Sequence, residues 1–261
     1  MLPVIQLGPL SIQAEGLFYL LGIWTAMSLA GKYARLFKLQ SEKLDTMVLI
    51  SLAAGIIGAR LAYLLRYPDI FMKSPLSIFS LNPTMLDLQG GLLFGVLAGL
   101  VYGQRSEFAF WPTADALAPG LAVMQLAAGF ANLFSGNAFG IPTDLPWAIS
   151  LWGDMRHPVQ VYEIIGSLII LIMMVLWLNR VKTDKLNYLP TGNLFLSFIA
   201  GSALMRIFVD GYRGDSILIF DSIRLSQAIA WLLLAFALWM LNKKRKISTS
   251  KPVQYPINSQ V

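Results

Sequence analysis

The sequence predicts an all-α integral membrane protein of about seven transmembrane helices, with its N-terminus outside and its C-terminus cytoplasmic. Three observations carry this expectation. The 261 residues are 56% hydrophobic and only 13% charged, where a soluble domain carries roughly 25% charged residues; the mean hydropathy is +0.63. Seven apolar runs meet or approach the roughly 20 residues that a spanning helix needs. Basic residues are unevenly shared between the two sets of loops that those runs create.

The runs are 16–34, 46–66, 88–104, 113–134, 158–179, 191–210 and 222–242. Met1 to Leu10 carries no positive charge, and no small-residue cleavage site follows the first run, so that run is read as a retained helix and not as a cleaved signal. The third run is short and the fourth contains Pro119, which makes these two the weakest simple spans. One set of loops collects Lys32, Arg35, Lys38, Lys43, Arg105, Arg180, Lys182, Lys185 and the run Lys243 to Lys246; the other receives Arg66, Lys73, Arg156, Arg213 and Arg224. The denser set is the cytoplasmic one by the positive-inside rule. No repeat or soluble domain divides the chain. Residues 1–246 form a single membrane domain, and the polar, Pro-containing segment 247–261 is a cytoplasmic tail expected to be disordered.

Composition also excludes several classes. With no cysteine there is no disulfide framework, thiol nucleophile or zinc-thiolate site, and a lone histidine, His157, argues against a histidine-rich metal centre. No metal or cofactor is expected. The net charge of +6 and pI near 9.5 do not point to nucleic acid, because the basic residues sit between apolar runs where they face anionic lipid.

Chemistry concentrates where polar groups interrupt the apolar runs, since each is costly in a bilayer unless paired or wet. Arg156-His157-Pro158-Val159-Gln160-Val161-Tyr162-Glu163 packs five polar or ionisable side chains immediately before the run from Ile164 to Leu178. Pro158 suits a first helical position, with His157 near the N-cap and Gln160, Tyr162 and Glu163 in the first two turns. This is either a site or a helix cap with interfacial polar groups. Arg60, Tyr63 and Tyr67 share one helical face: a cationic clamp for a lipid phosphate with tyrosine donors, or a structural arginine paired to a carboxylate. Arg206, Asp210 and Arg213 also share a face. They form a cluster with surplus positive charge for an anionic headgroup, or a self-satisfied charge ladder. Gly91, Gly95 and Gly99 recur every fourth residue, a close-packing signal, and Gln89 ahead of them is placed to cap a helix. The segment Gly129 to Gly140, with Asn132, Ser135 and Asn137 among glycines, reads as a helix unwinding into a loop that lines a cavity.

These motifs together resemble the prolipoprotein diacylglyceryl transferases of bacteria. The likeness rests on Arg156-His157-Pro158-x-Gln160-x-Tyr162-Glu163, Gly58-Ala59-Arg60-Leu61 with Tyr63 and Tyr67, Gly90-Gly91-Leu92, Asn132 with Gly136 and Gly140, Pro146-Trp147, and Arg206 with Asp210 and Arg213. It covers nearly the whole chain. It implies a multi-pass protein of the bacterial cytoplasmic (inner) membrane that moves a diacylglyceryl group from phosphatidylglycerol, or a related anionic phospholipid, to the lipobox cysteine in preprolipoprotein signal peptides. The resemblance puts His157 and Arg206 at the reaction. It assigns Arg60, Tyr63, Asn132 and Arg213 to lipid and phosphate, with Gln89, Gln160, Tyr162, Glu163 and Asp210 in support. The chain departs from the family pattern at five positions. Gln89 stands for the usual histidine, Gly129 for an arginine, Asn137 for a glutamate, Ser202 for a tyrosine and Glu15 for a tyrosine. Glutamine is no base near neutral pH and glycine carries no charge. Three readings follow: a divergent active transferase, a homologue that keeps the scaffold as a lipid- or partner-binding membrane protein, or a transporter using the same cavity.

Overall fold

The computed structural model describes residues 4–7, 10–73, 85–183, 191–219 and 222–250. Five of the described helices are long and apolar enough to cross a membrane: Ser41–Arg66, Phe110–Ser135, Val159–Val181, Asn193–Tyr212 and Leu225–Lys246. The chain forms two compact units, one made of Met1–Leu29 with Ala114–Val261 and the other of Ala30–Thr113.

In the larger unit, hairpin β1 (Val4–Leu7) and β2 (Leu10–Gln13) leads into α1 (Ala14–Ala34). Phe18 of α1 meets Phe130 and Phe134 of α5 (Phe110–Ser135), with ring centroids 5.4 and 4.8 Å apart. Gly22 lets the two helices close, since a Cβ there would stand 2.6 Å from that of Ala127. Helix α5 runs unbroken through Pro119, a residue that spanning helices tolerate when neighbours re-satisfy the freed carbonyl. Beyond it come hairpin β3 (Ile149–Leu151) and β4 (Asp154–Arg156), then α6 (Val159–Thr183), α7 (Asn193–Val209) and a 3-10 turn Asp210–Tyr212. A two-residue ladder of β5 (Leu218–Ile219) and β6 (Ile223–Arg224) opens α8 (Leu225–Ser250). Because α8 continues to Ser250, it takes in the first residues of the segment read as a tail; 251–261 lie outside the described residues.

The first turn of α7 is anchored from α5. Asp115, 1% exposed, accepts the backbone N–H groups of Gly192 and Phe195, two donors that a helix start otherwise leaves unpaired.

In the smaller unit, α2 (Ser41–Arg66) and α4 (Leu88–Arg105) pack along one another, with a six-residue α3 (Pro68–Lys73) after α2. The glycine stripe faces α2: a Cβ on Gly95 would come 3.0 Å from the Ser51 carbonyl oxygen, and one on Gly99 2.7 Å from Ser51 Oγ. Such backbone approach is what small residues permit in membranes.

Within Gly129–Gly140 the helix gives way to a loop partway along: α5 persists to Ser135, the Gly136 N–H bonding to the Asn132 carbonyl at 2.9 Å before Gly136 turns off at φ +80°. One local expectation is corrected. Capping of α4 falls to Asp87 and not to Gln89, with Asp87 Oδ1 accepting the Gly90 N–H at 2.8 Å.

Candidate functional site

Residues 139–143, between α5 and β3, are held on both edges by backbone hydrogen bonds. The Thr143 N–H donates to Met155, and the His157 N–H to Ile141; on the other edge the Ile141 N–H donates to Tyr212 and the Gly214 N–H to Phe139, all at 2.8–3.1 Å. Arg156 reinforces the first edge, donating to the carbonyls of Leu151 and Gly140 at 3.2 Å each while its guanidinium lies 5.2 Å from the Phe139 ring centre. This strap joins the start of α6 to the end of α7, and the candidate site residues of the larger unit lie beside it.

His157 is buried; its Nδ1 is 3.3 Å from the Tyr162 hydroxyl, which accepts the indole N–H of Trp147 at 2.9 Å. Its ring centre is 4.8 Å from that of Tyr212. The Tyr162 hydroxyl can both accept from Trp147 and pair with Nδ1, and the His157 tautomer sets which of those two groups, hydroxyl or Nδ1, donates. Pro158 sits just ahead of α6 and not in it. Gln160 is fully buried and donates its amide to the Asn137 carbonyl at 2.8 Å, fixing the turn that follows α5.

Glu163 is the hub. One of its oxygens, Oε1, accepts from Arg206 at 3.4 Å and from Arg213 at 3.2 Å, and its carboxylate is also bonded by the Asn132 side chain. Asp210, fully buried, is 3.4 Å from Arg206, and its carbonyl accepts from Arg224. Arg213 is the more committed cation. Its Nε and Nη2 grip both oxygens of Asp215 at 2.9 Å while Nη1 holds Glu163. Burial alone would pull the Arg213 pKa down, but the hydrogen-bonded Asp215 and nearby Glu163 outweigh it and hold the group above the ordinary arginine range. Arg206, with its side chain 43% exposed and both ion-pair contacts long, is the freer one. Among the described residues the cluster balances: Glu163, Asp210 and Asp215 against Arg206, Arg213 and Arg224. Asp215 and Arg224 were not singled out in the sequence. Asp215 was open to detection two positions after Arg213, whereas Arg224 arrives only through the β5–β6 turn.

Arg206 also lines a pocket of about 460 Å³ whose walls are Gln125, Ile199, Ser202, Ile229 and Leu233 among others. Ser202 donates to Gln125 Oε1 at 2.8 Å, so the pocket wall where the resemblance expects a tyrosine is a small polar pair between α5 and α7. Gly129 is occluded: a Cβ there would meet Ile164 Cγ1 at 2.8 Å. Among the described residues no group of His, Cys, Asp and Glu is arranged to hold a metal ion.

The remaining candidates belong to the smaller unit. Arg60 donates to the Met85 carbonyl at 3.0 Å, Tyr63 lies with its ring centre 4.9 Å from that of Tyr67, and Gln89 is exposed in the first turn of α4.

Comparison with known proteins finds a family profile described as prolipoprotein diacylglyceryl transferase matching residues 3–243. Relatives named phosphatidylglycerol–prolipoprotein diacylglyceryl transferase extend over nearly the same length. The protein from Synechococcus elongatus is 26% identical over 258 residues, covering 94% of this chain and 89% of its own. That from Nostoc sp. is 26% identical over 263 residues, with 95% and 92% covered. That from Finegoldia magna is 26% identical over 243 residues, with 92% and 95% covered.

Proposed function

Because this chain belongs to the prolipoprotein diacylglyceryl transferase family, we propose that it transfers a diacylglyceryl group from phosphatidylglycerol to the lipobox cysteine of preprolipoproteins. The site of reaction is the outer face of the bacterial inner membrane. In this reading α1 and α4 join the five long apolar helices to make seven spans, with the N-terminus outside and the C-terminus inside. The substrates are an anionic phospholipid and the signal peptide; neither nucleic acid nor a cofactor takes part. The substrate thiol gives up its proton to a base or to solvent and its sulfur forms a bond to carbon as the carbon–oxygen bond to phosphate breaks, so the leaving glycerol phosphate carries away growing negative charge. A cation beside that oxygen lowers the barrier, and removal of one such donor costs about 100–1000-fold in rate.

The observation that supports this reading most is Arg206. It is half-exposed, loosely held by Glu163 and Asp210, and set in the wall of a pocket lined by side chains of α5, α7 and α8, mostly apolar but with Gln125, Ser202 and Ser226 among them. An incoming phosphate competes for it on better terms than for Arg213, whose fork is closed on Asp215. Arg213 therefore serves to fix Glu163, and His157, paired with Tyr162 through Nδ1, is assigned to the reaction by its family motif. Arg60 and Tyr63 are assigned to lipid binding on the strength of their family motif.

Specific observations favour a second reading, a homologue retained for lipid or partner binding. No guanidinium fits at Gly129 without displacing Ile164, Gln89 supplies no base, and the charge cluster is already balanced. Expression in a host depleted of its own transferase decides between them. The transferase reading expects the lipobox cysteine to gain the mass of a diacylglyceryl group, and Arg206→Ala to reduce that product about 100-fold or more. Phosphatidylglycerol that co-purifies with the chain, with no mass shift on the peptide, would establish the second reading instead.

A further inference from the structure

Three large apolar side chains are exposed in the β3–β4 hairpin and just ahead of it. Trp147, Trp152 and Met155 are 57%, 68% and 50% exposed. Trp152 occupies the tip with Gly153, in a two-residue turn between the paired Leu151 and Asp154, and both central φ angles are positive, +56° and +86°. Such a turn favours Asn-Gly, and a bulky residue in the left-handed region is an outlier. The conformation presents the indole outward while its N–H turns back to the Gly136 carbonyl at 3.2 Å.

Both indoles are anchored to helix ends. Trp152 bonds to Gly136, the residue after the last turn of α5, and Trp147 bonds to Tyr162 in the first turn of α6 at 2.9 Å. Those are the ends of two helices long and apolar enough to span, and where such helices cross a bilayer their ends lie near the depth at which hydrocarbon gives way to headgroups. With each N–H paired internally, the exposed ring faces can enter lipid without leaving a donor unsatisfied. The one ion pair of the hairpin, Arg156 with Asp154 at 2.6 Å, cancels its own charge.

We propose that the β3–β4 hairpin is a membrane-interface anchor, seated with Trp152, Trp147 and Met155 in the headgroup–acyl boundary of the leaflet where α5 ends and α6 begins. Its occupant is phospholipid. By holding the hairpin down, it fixes the level of the strap beside His157 relative to the bilayer surface. The proposal depends on the spanning helices and not on any transfer activity.

The cysteine-free chain makes the test direct. Met155→Cys, which keeps both indoles, and Trp152→Cys are each labelled with an environment-sensitive fluorophore in the full-length protein. The labelled proteins are reconstituted in phosphatidylglycerol–phosphatidylcholine vesicles, and Asp144→Cys, on the same connection but polar and exposed, serves as reference. The anchor predicts quenching by nitroxide lipids at a depth of about 5–10 Å and several-fold weaker quenching by aqueous iodide than at the Asp144→Cys label. Equal iodide quenching at all three positions, without lipid quenching, overturns it. So does shielding that appears only on adding an apolar peptide, which would make the face a peptide-docking surface, or shielding that rises with the protein-to-lipid ratio, which would make it a contact between copies.

Discussion

At Glu163 a single carboxylate oxygen serves two guanidiniums, so the charge state of one side chain controls the balance of the cluster. Glu163→Gln leaves three cations against two carboxylates. The loss of stability, measured by thermal unfolding in detergent, is expected to be about 1–3 kcal/mol, below the figure for a fully buried pair because Arg206 is partly solvated. Native mass spectrometry should show tighter retention of anionic over zwitterionic lipid. Asp115 makes a second prediction. Asp115→Ala strands the Gly192 and Phe195 N–H groups at the start of α7 and should cost about 2–3 kcal/mol, with Asp115→Asn, which keeps an acceptor, recovering part of it. The sequence pointed to Glu163, Arg206 and Asp210 because polar groups in apolar runs are conspicuous. It passed over Asp115 for a physical reason: a carboxylate near the end of a span looks like any interfacial charge until the helix start it caps is brought beside it.

Between elements the decisive contact is α5 against α6 at Gly129 and Ile164. Gly129→Ala gains helix propensity yet forces Ile164 aside, for a net loss of about 1–2 kcal/mol. Ile164→Ala opens a cavity of its own, and the pair should be strongly non-additive, the double variant being more stable than the sum of the two. Additivity within experimental error would mean that the helices separate freely and that an arginine could be restored at 129. The helices themselves were legible, because apolar length is a strong signal: the seven runs correspond closely to α1, α2 and α4–α8. The hairpins were not. Strands of two to four residues are too short for alternation to register, and they exist because the described connections, such as residues 139–143 and 149–156, must pair their backbone groups where the helices stop. The helix α3 hides for the same reason of length.

For the whole molecule, charge asymmetry between loops predicts orientation. Alkaline phosphatase fused at the C-terminus should be inactive and inserted at Asp144 active, while a fluorescent protein should behave the opposite way; the reverse pattern would invert the proposed topology. The strap has a consequence for how the protein is made. One of its edges pairs with residues 155–157, which follow soon after it, but the other waits for 212–214, beyond both α6 and α7. At a synthesis rate of about 5–20 residues per second the interval is on the order of several seconds. During it α6 must enter the bilayer with Glu163 in place and neither Arg206 nor Arg213 yet available to neutralise it. The insertion machinery therefore has to shelter a half-paired loop, and a carboxylate whose cationic partners are still missing and which has only the Asn132 side chain to bond it, until α7 arrives.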